Sequence, residues 1–515
     1  MSIEHTNAKI YRKLLRTILI SVGAVLLNGC ITMFLVPVIS NTVGTEAYGF
    51  VSLAKSFEAY ALIITTTLNA FAARHIVIEF HQNNKKQANI YFSSTVYGNL
   101  ILSTTLFALA MLVVFFLDRV VRISTKLVPD VRLLFFFVFV NFWITTTTVA
   151  FQSAGHIKNK LDMAGGFKTF AYLCEAIVLI LCFTLFVPHV FYVGIGLAVV
   201  SLIMAGGAIW IWKHYASELQ VLKKYFSWRA IQRLVLDGVW TAFNSLGGIM
   251  NDGLDLLICD LMLTPLQMGQ LAVSKTFHAF FSSFYALIGQ AFEPLLLKSY
   301  AKGDKKKLME QLKLSMKVSG LISNIIFAGF TTLGVAFYKL WIPKEDIMLI
   351  YMLTVIDNLA TIPRGPIFPL YYIYVLTTKN RFPTIMTFVC GIFNVLAMYL
   401  LLNFTNIGIA GIVWTTVAVS VIINFVSNPL YMAHVLDISW WSFYPEILKN
   451  LISCGIMVAV FFGLAHVYMP SSWLGLIGSG IALATIGALI HLLVVLNRED
   501  RIAVIKLLLR KNNLV

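Results

Sequence analysis

Gly49-Phe-Val-Ser-Leu-Ala-Lys-Ser-Phe57 recurs 220 residues later as Gly269-Gln-Leu-Ala-Val-Ser-Lys-Thr-Phe277, with the glycine, the lysine and the last phenylalanine in identical places. Both stretches lie in apolar segments of membrane-spanning length. A lysine at bilayer depth costs roughly 2.5–3.5 kcal/mol on insertion scales. Because the chain carries this cost twice at equivalent positions, we expect Lys55 and Lys275 to hold an anion inside a membrane cavity.

The composition is that of a multi-pass membrane protein. Of the 515 residues, 59% are hydrophobic and only 12% are charged, and the mean hydropathy is +0.83. Soluble domains carry about 25% charged residues. The formal net charge of +16 does not indicate nucleic acid as a partner, because the basic residues lie in short loops between apolar segments. The six cysteines all fall in apolar stretches, so they are interpreted as small buried hydrophobic residues.

Fourteen apolar segments are long enough to cross a bilayer, which requires about 20 residues. An even number of spans places both termini on one side, and the loops and termini of that side hold 30 of the 39 Lys and Arg residues. The positive-inside rule therefore predicts cytoplasmic termini, with one local exception at Arg119–Arg132. The expected spans are 17–39, 50–73, 90–117, 131–153, 167–187, 190–212, 235–260, 271–296, 314–338, 347–376, 384–402, 407–433, 447–469 and 472–496.

The repeat continues beyond the two lysines. At the same offset Lys85-Lys86 aligns with Lys305-Lys306, and Lys158-Asn-Lys-Leu161 resembles Lys379-Asn-Arg-Phe382. Each half holds six spans, so both halves have the same orientation in the membrane, as in parallel-repeat transporter folds. The predicted fold is all-α, with a six-helix lobe over 1–216, a second over 217–433, and two additional spans with a cytoplasmic tail over 434–515.

The interval between the eighth and ninth spans is basic and amphipathic. It runs over 298–317, with Leu308, Leu312 and Met316 at helical spacing. Two interpretations are open: the segment lies on the anionic leaflet, where each basic residue contributes about 1 kcal/mol, or it is an ordinary positive-inside loop.

The third basic residue inside a span is Arg364. It lies in Thr361-Ile-Pro-Arg-Gly-Pro-Ile-Phe-Pro369, where three prolines and a glycine must interrupt the helix. Broken helices mark transporter binding sites, and the planar guanidinium group binds two phosphate oxygens at once. The alternative is a structural kink in which Arg364 caps freed carbonyl groups or pairs with Asp357.

Lys275, Arg364 and Lys55 are the predicted substrate-binding residues, and the neighbours of the two lysines differ. Glu58 follows Lys55 by one helical turn and is expected to neutralise part of its charge. His278 takes that place after Lys275, so Lys275 is expected to lack an anionic partner. The alternative for Lys55 is that its side chain extends to the outer membrane interface.

The seventh predicted span carries a polar stripe at helical spacing, which is expected to face the interior. Other acids inside spans require either a wet cavity or mutual pairing. Ion coupling and ion-pair packing are both open interpretations for these residues. The stripe consists of Asn244, Gly248, Asn251, Asp255 and Cys259, and the candidate ion-coupling or cavity-lining residues are Asp252, Asp255, Glu58, Asn251, Asn244, Asp357, Glu293 and Glu175.

Sequence motifs of enzymes are absent. The chain has no GxxxxGK[ST] segment, no HExxH and no zinc-spaced Cys/His set. No catalytic residue, metal or cofactor is therefore expected, and direct driving by ATP is disfavoured. A membrane glycosyltransferase or polymerase generally needs a sizeable outer loop with paired carboxylates, which this chain lacks.

These features resemble the Wzx-type polysaccharide flippases. That family is grouped with MurJ, the MATE exporters and the eukaryotic Rft-type proteins in the multidrug/oligosaccharidyl-lipid/polysaccharide transporter superfamily. The resemblance covers nearly the whole chain, and its motifs are Val36-Pro37, Gly44-Thr-Glu-Ala-Tyr-Gly-Phe50 and Lys158-Asn-Lys160. Family members hold basic residues in spans 2 and 8 within a central cavity, where Lys55 and Lys275 match. A basic position in span 1 of MurJ-type proteins has no match here.

The resemblance implies a flippase that moves an undecaprenyl-diphosphate-linked oligosaccharide, such as an O-antigen or capsule repeat unit, across the bacterial cytoplasmic (inner) membrane by alternating access. The implied partners are this lipid-linked substrate, membrane lipids, a coupling sodium ion or proton, and polysaccharide polymerase and export machinery. The alternative is a MATE-like, ion-coupled exporter of small molecules, whose cavity would be dominated by acids such as Asp252 and Asp255.

Overall fold

A computed structural model describes residues 2–377, 379–497 and 500–501, with side chains from Ile20 onward except at 21–22, 283–291, 294 and 375. The secondary structure of these residues is entirely helical, which confirms the all-α fold class. The chain divides into two compact units, Met1–Val273 (unit 1) and Ser274–Val515 (unit 2). This division rests on spatial contacts and does not test the lobes 1–216 and 217–433 or the pair 434–515, which remain a prediction from the repeat.

Unit 1 holds eleven described helices and the first turns of a twelfth. Short 3-10 turns at Thr125–Leu127, Val149–Gln152 and Lys223–Tyr225 and a π-helix at Ile249–Gly253 connect them. The helices are α1 (Ser2–Thr42), α2 (Thr45–Asn69), α3 (Ala72–His81), α4 (Lys85–Phe115), α5 (Leu117–Val120), α6 (Val128–Thr148), α7 (Ser153–Ile157), α8 (Leu161–Leu185), α9 (Tyr192–Tyr215), α10 (Trp228–Gly248), α11 (Asp255–Met262) and α12 (Pro265–Ala301).

Unit 2 contains the remainder of α12 and the helices that follow. A 3-10 turn at Phe368–Tyr371 and a π-helix at Ile422–Ser427 interrupt them. The helices are α13 (Lys305–Trp341), α14 (Ile347–Leu359), α15 (Thr361–Ile367), α16 (Tyr372–Thr377), α17 (Arg381–Phe404), α18 (Ile409–Val421), α19 (Asn428–Val435), α20 (Tyr444–Val467) and α21 (Trp473–Val494).

Within the described residues, twelve helical segments are long and apolar enough to cross a membrane. The sequence predicts fourteen spans. The other two predicted spans are 235–260, on α10, the π-helix and α11, and 271–296, on α12, whose side chains at 283–291 and 294 lie outside the described residues. Asn251 and Asp255 interrupt the apolar sequence of the first of these segments, and Lys275 and His278 interrupt that of the second.

The segment that joins the sixth and seventh predicted spans is bound to α4 of unit 1. Asn89 donates to Glu218 O (3.3 Å) and accepts from Gln220 N (2.7 Å), and Ser93 donates to Gln220 O (2.7 Å). Leu219 is buried in the adjoining apolar core. Because both its backbone and its side chains have partners, this connection is a fixed part of unit 1.

Unit 2 is organised around α13, which packs against α14, α15, α20 and α21. Leu308, Leu312 and Met316 are buried in its apolar core. The apolar face of the basic segment 298–317 therefore packs against protein, and a position of its exposed lysines near the anionic leaflet stays a prediction.

The positively charged exception at Arg119–Arg132 has acidic partners. Arg132 Nη2 donates to Asp118 Oδ1 (2.6 Å), and this hydrogen bond lowers the pKa of the Asp118 carboxyl below its usual value. The backbone N–H of Arg122 donates to Asp260 Oδ2 (2.8 Å), and its Nη1 donates to Leu263 O (3.0 Å). Two of the four basic residues of this local violation are thus paired, and Arg122 fastens its loop to the C-terminal end of α11.

Candidate functional site

Four polar residues of unit 2 form what we call the unit 2 cluster: Lys275, His278, Asp357 and Arg364. Lys275 and His278 are one turn apart on α12, Asp357 is in the last turn of α14, and Arg364 is on α15. Lys275 Nζ lies 3.8 Å from Asp357 Oδ1, and His278 Nδ1 lies 3.2 Å from Asp357 Oδ2. Arg364 acts electrostatically on the same carboxylate, and no ion pair of Arg364 is found among the described residues.

Exposure differs sharply within this cluster. The side chain of Asp357 is 1% exposed, whereas those of Lys275 and His278 are 17% and 18% exposed. Arg364 is also partly exposed. The carboxylate therefore lies behind the basic groups, which remain accessible to a ligand.

The interrupted helix that carries Arg364 is stabilised by hydroxyl groups. Pro369 has no N–H, so it leaves the carbonyl of Gly365 without its helical donor. Ser319 Oγ of α13 donates to Gly365 O at 2.6 Å and replaces that donor. Gly365 also packs so closely against Ser323 that a Cβ has no room there. Ser319 therefore caps this freed carbonyl, the role that the structural alternative assigned to Arg364.

The next part of the broken segment is tied to the π-helix of the twelfth predicted span. Tyr371 Oη donates to Asn424 Oδ1 (2.6 Å), Asn428 Nδ2 donates to Tyr371 Oη (2.9 Å), and Tyr374 Oη donates to Asn428 Oδ1 (2.9 Å). These bonds satisfy polar groups at membrane depth, where unpaired groups cost several kcal/mol. The break in this helix is consequently a rigid feature, and it holds Arg364 in a defined place.

The expectation that Lys275 lacks an anionic partner is wrong, since Asp357 supplies one. His278, which the sequence prediction left out, belongs to the same site. Its position one turn after Lys275 was visible in the sequence, but its pairing with a carboxylate 79 residues further along was not. Only the packing of α12 beside α14 brings these residues together.

The matching lysine of unit 1 has different surroundings. Asn141 Nδ2 donates to Glu58 Oε1 at 2.6 Å. Lys55 is exposed, and among the described residues it forms no ion pair. Its charge acts at longer range on Glu58 and on Glu175, which is 3% exposed on α8. The predicted neutralisation of Lys55 by Glu58 is therefore electrostatic and involves no direct contact.

The polar stripe of the seventh span is divided by its π-helix. Asn251, Asp255 and Cys259 are buried, whereas Asn244 and Asp252 are exposed. A π-turn has one more residue than an α-turn, so the five residues predicted to share one face do not keep that register. The prediction that these five residues share one helical face is therefore wrong, although Asn251 and Asp255 are buried as predicted.

The last candidate acid, Glu293, is partly buried on α12, where its charge acts on Tyr372. It lies outside the unit 2 cluster. Within the described part of the chain, no group of three His, Cys, Asp or Glu side chains is arranged to hold a metal ion.

The two glycines of the recurring sequence touch each other inside unit 1. A Cβ on Gly49 would lie 2.8 Å from Gly269 Cα, and a Cβ on Gly269 would overlap the carbonyl of Thr45. Glycine at both positions therefore allows α2 and the first turns of α12 to approach backbone to backbone. The repeat seen in the sequence corresponds here to a physical contact between its two copies.

The helical architecture and the polar clusters define a multi-pass membrane protein with basic groups exposed inside its apolar spans. No known family model matches the chain. The curated relative "Uncharacterized membrane protein EpsK" of Bacillus subtilis (strain 168) is 24% identical over 483 residues, which cover 94% of this chain and 95% of that protein.

Two solved structures show what this fold is similar to. One is the inward-facing conformation of a multidrug resistance MATE family transporter of the MOP superfamily, with a TM-score of 0.66, 12% identity, and coverage of 81% of this chain and 96% of that one. The other is the lipid II flippase MurJ in an inward closed conformation, with a TM-score of 0.63, 15% identity, and coverage of 92% and 99%. The chain has the fold of MOP-superfamily transporters.

Proposed function

We propose that the protein is a flippase that moves a lipid-diphosphate-linked oligosaccharide, specifically an undecaprenyl-diphosphate-linked repeat unit of a surface polysaccharide, across the cytoplasmic membrane by alternating access. The observation that carries the proposal is the unit 2 cluster, in which Lys275, His278 and Arg364 are accessible while the single carboxylate of Asp357 is enclosed. A site of this polarity attracts an anion.

The chemistry of the groups matches a diphosphate. Charge-assisted hydrogen bonds from Lys and Arg to phosphate oxygens are short and roughly twice as strong as neutral ones. The sugars and phosphates of such a substrate cannot cross hydrocarbon without shelter, because their hydration would be lost. Basic side chains that face a wet space inside the spans provide that shelter.

Two comparisons bear on this proposal, one with a flippase and one with an exporter. The lipid II flippase MurJ matches 92% of this chain, and the MATE transporter matches 81%. Another MOP-superfamily transporter with a similar structure, from Pyrococcus furiosus, has a binding pocket of reverse polarity, which suggests a different function for that protein. The fold is therefore compatible with more than one polarity of ligand, and the site residues carry the assignment.

The test is translocation in liposomes that contain lipid-diphosphate oligosaccharides, with and without sodium and proton gradients. We expect transport by the natural protein and its loss in the Lys275→Gln, Arg364→Gln double variant. Lys344→Gln, which removes an exposed lysine outside the cluster, is the matched control. Normal transport by the double variant would overturn the site assignment, and no transport by the natural protein would overturn the function.

A MATE-like exporter of small molecules is the second candidate, since Asp255 is fully buried in unit 1 and the MATE structures share the fold. An exporter of cations would depend on such acids. Overexpression would then confer drug resistance that Asp255→Asn abolishes, and the lipid-linked oligosaccharide would remain in its original leaflet.

A further inference from the structure

The unit 2 cluster contains more positive charge than its carboxylate balances. Lys275 and Arg364 each carry one positive charge, and Asp357 carries one negative charge. The cluster therefore keeps a formal excess of one positive charge when His278 is neutral. A purely structural ion pair would need one basic partner for Asp357, and here three basic side chains act on it.

The position of Asp357 is fixed by α13 and by its own helix. Tyr338 Oη and Thr354 Oγ1 share a hydrogen bond at 2.6 Å, Thr354 Oγ1 donates to Ile350 O (2.8 Å), and Asn358 Nδ2 donates to Thr354 O (2.9 Å). These contacts involve the last two turns of α14, in which Asp357 lies. The carboxylate consequently has little freedom to withdraw when another anion approaches its basic partners.

An anion that enters the cluster meets the accessible basic groups before it meets the enclosed carboxylate. Lys275 and His278 then have two negative partners, one fixed and one mobile. Like charges that share a site a few ångströms apart repel each other. The fixed carboxylate must therefore weaken the binding of the mobile anion while it holds the basic side chains in place.

We propose that Asp357 is the internal counter-anion of the substrate site, a positioning residue that orients Lys275 and His278 and competes with the phosphate groups of the substrate for them. This inference rests on the proposed function for the identity of the anion. Competition of this kind allows the site both to bind a diphosphate and to release it, because Asp357 pairs again with Lys275 and His278 when the substrate leaves.

The test uses inorganic pyrophosphate as the probe and isothermal titration calorimetry on the purified full-length protein in detergent. We expect Asp357→Asn to bind pyrophosphate at least fivefold more tightly than the natural protein, with a steeper loss of affinity on addition of salt. Glu310→Gln, which neutralises an exposed acid on α13 of the same unit, should leave the affinity unchanged. Unchanged or weaker binding by folded Asp357→Asn would overturn the proposal.

A charge-balanced background keeps the test decisive if Asp357→Asn alone does not fold. Lys275→Gln leaves the cluster formally neutral, and Lys275→Gln with Asp357→Asn restores one net positive charge. The double variant should bind pyrophosphate at least fivefold more tightly than Lys275→Gln alone. Equal binding by these two variants would show that Asp357 only anchors its neighbours and would reject the competition.

The liposome assay separates this inference from the proposed function. If the natural protein does not move lipid diphosphates but Asp357→Asn tightens pyrophosphate binding, the counter-anion role stands and the substrate is another anion. If the natural protein moves them and Asp357→Asn does not tighten binding, the flippase stands and the counter-anion role falls.

Discussion

Lys55 of unit 1 and Lys275 of unit 2 occupy equivalent places in the same recurring sequence, yet their environments are opposite to those that their sequence neighbours predict. Lys55, with Glu58 one turn away, is exposed and forms no ion pair among the described residues. Lys275, with no acid on its own helical face, lies 3.8 Å from Asp357. An acid on the same helix is therefore a poor guide to the partner of a lysine when helices pack against one another.

The physical reason is that burial decides which charges must be paired. The Glu58 carboxylate receives its hydrogen bond from Asn141 on α6, so it does not require Lys55. The Asp357 carboxylate is enclosed, and an enclosed carboxylate without basic partners is very costly. The packing of α12 beside α14 consequently places the side chains of Lys275 and His278 next to the carboxylate of Asp357.

The largest expected effect is on ligand binding by the unit 2 cluster. Lys275→Gln removes a charge-assisted hydrogen bond, which contributes about 1.5–3 kcal/mol. We expect pyrophosphate affinity to fall roughly 10- to 100-fold, measured by calorimetry on the full-length protein. An unchanged affinity would mean that Lys275 serves only to neutralise Asp357.

The second prediction tests the close contact between Gly49 and Gly269, the first residues of the two copies of the recurring sequence. Gly269→Val places a side chain against the carbonyl of Thr45, and overpacking of this kind costs about 1–3 kcal/mol. We expect a lower melting temperature by fluorescence-monitored unfolding in detergent. Gly206→Val is the matched control on α9, because a Cβ at Gly206 meets no atom within 4 Å. Equal melting of the two variants would argue against the close crossing.

A smaller effect on thermal stability is expected from loss of the hydrogen bond between Asn141 and Glu58 in unit 1. Asn141→Ala removes the donor to Glu58 Oε1, and a hydrogen bond of this kind contributes about 0.5–1.5 kcal/mol to stability. Thermal stability should fall while pyrophosphate affinity stays the same, since the anion site is assigned to unit 2. Asn403→Ala, at an exposed amide that bonds only its own helix, is the control. Loss of pyrophosphate binding in Asn141→Ala would place the anion site in unit 1 as well.

The smallest expected effect is that of Lys55→Gln. An exposed lysine without an ion pair contributes through screened, longer-range interactions, about 0–1 kcal/mol. Pyrophosphate affinity should fall less than about threefold under the conditions in which Lys275→Gln loses at least tenfold. An equal loss of pyrophosphate affinity in both variants would indicate that Lys55 and Lys275 have equivalent roles, as the repeat suggests.

Much of the fold follows from patterns that need no tertiary information. The apolar segments predict membrane helices, and all of the described secondary structure is helical. The prolines around Arg364 predict an interrupted helix, and the structure breaks that helix at Ala360 and again at Phe368–Tyr371. The π-helix at Ile249–Gly253 was not predictable, because the glycines at its ends, 247, 248 and 253, are typical of kinks and turns in general and not of a π-turn in particular, and it divides the stripe from Asn244 to Cys259.

The sequence by itself determined that this is an all-helical membrane protein, that a short segment recurs in it, and that Lys55 and Arg364 lie inside apolar spans. These properties depend on local composition and on spacing along the chain, which the sequence displays directly. Only the tertiary structure decided that Asp357 lies beside Lys275 and His278 and that Glu58 accepts a hydrogen bond from Asn141. Pairing between helices depends on which faces pack together, and that choice is settled by burial and close packing over the whole chain.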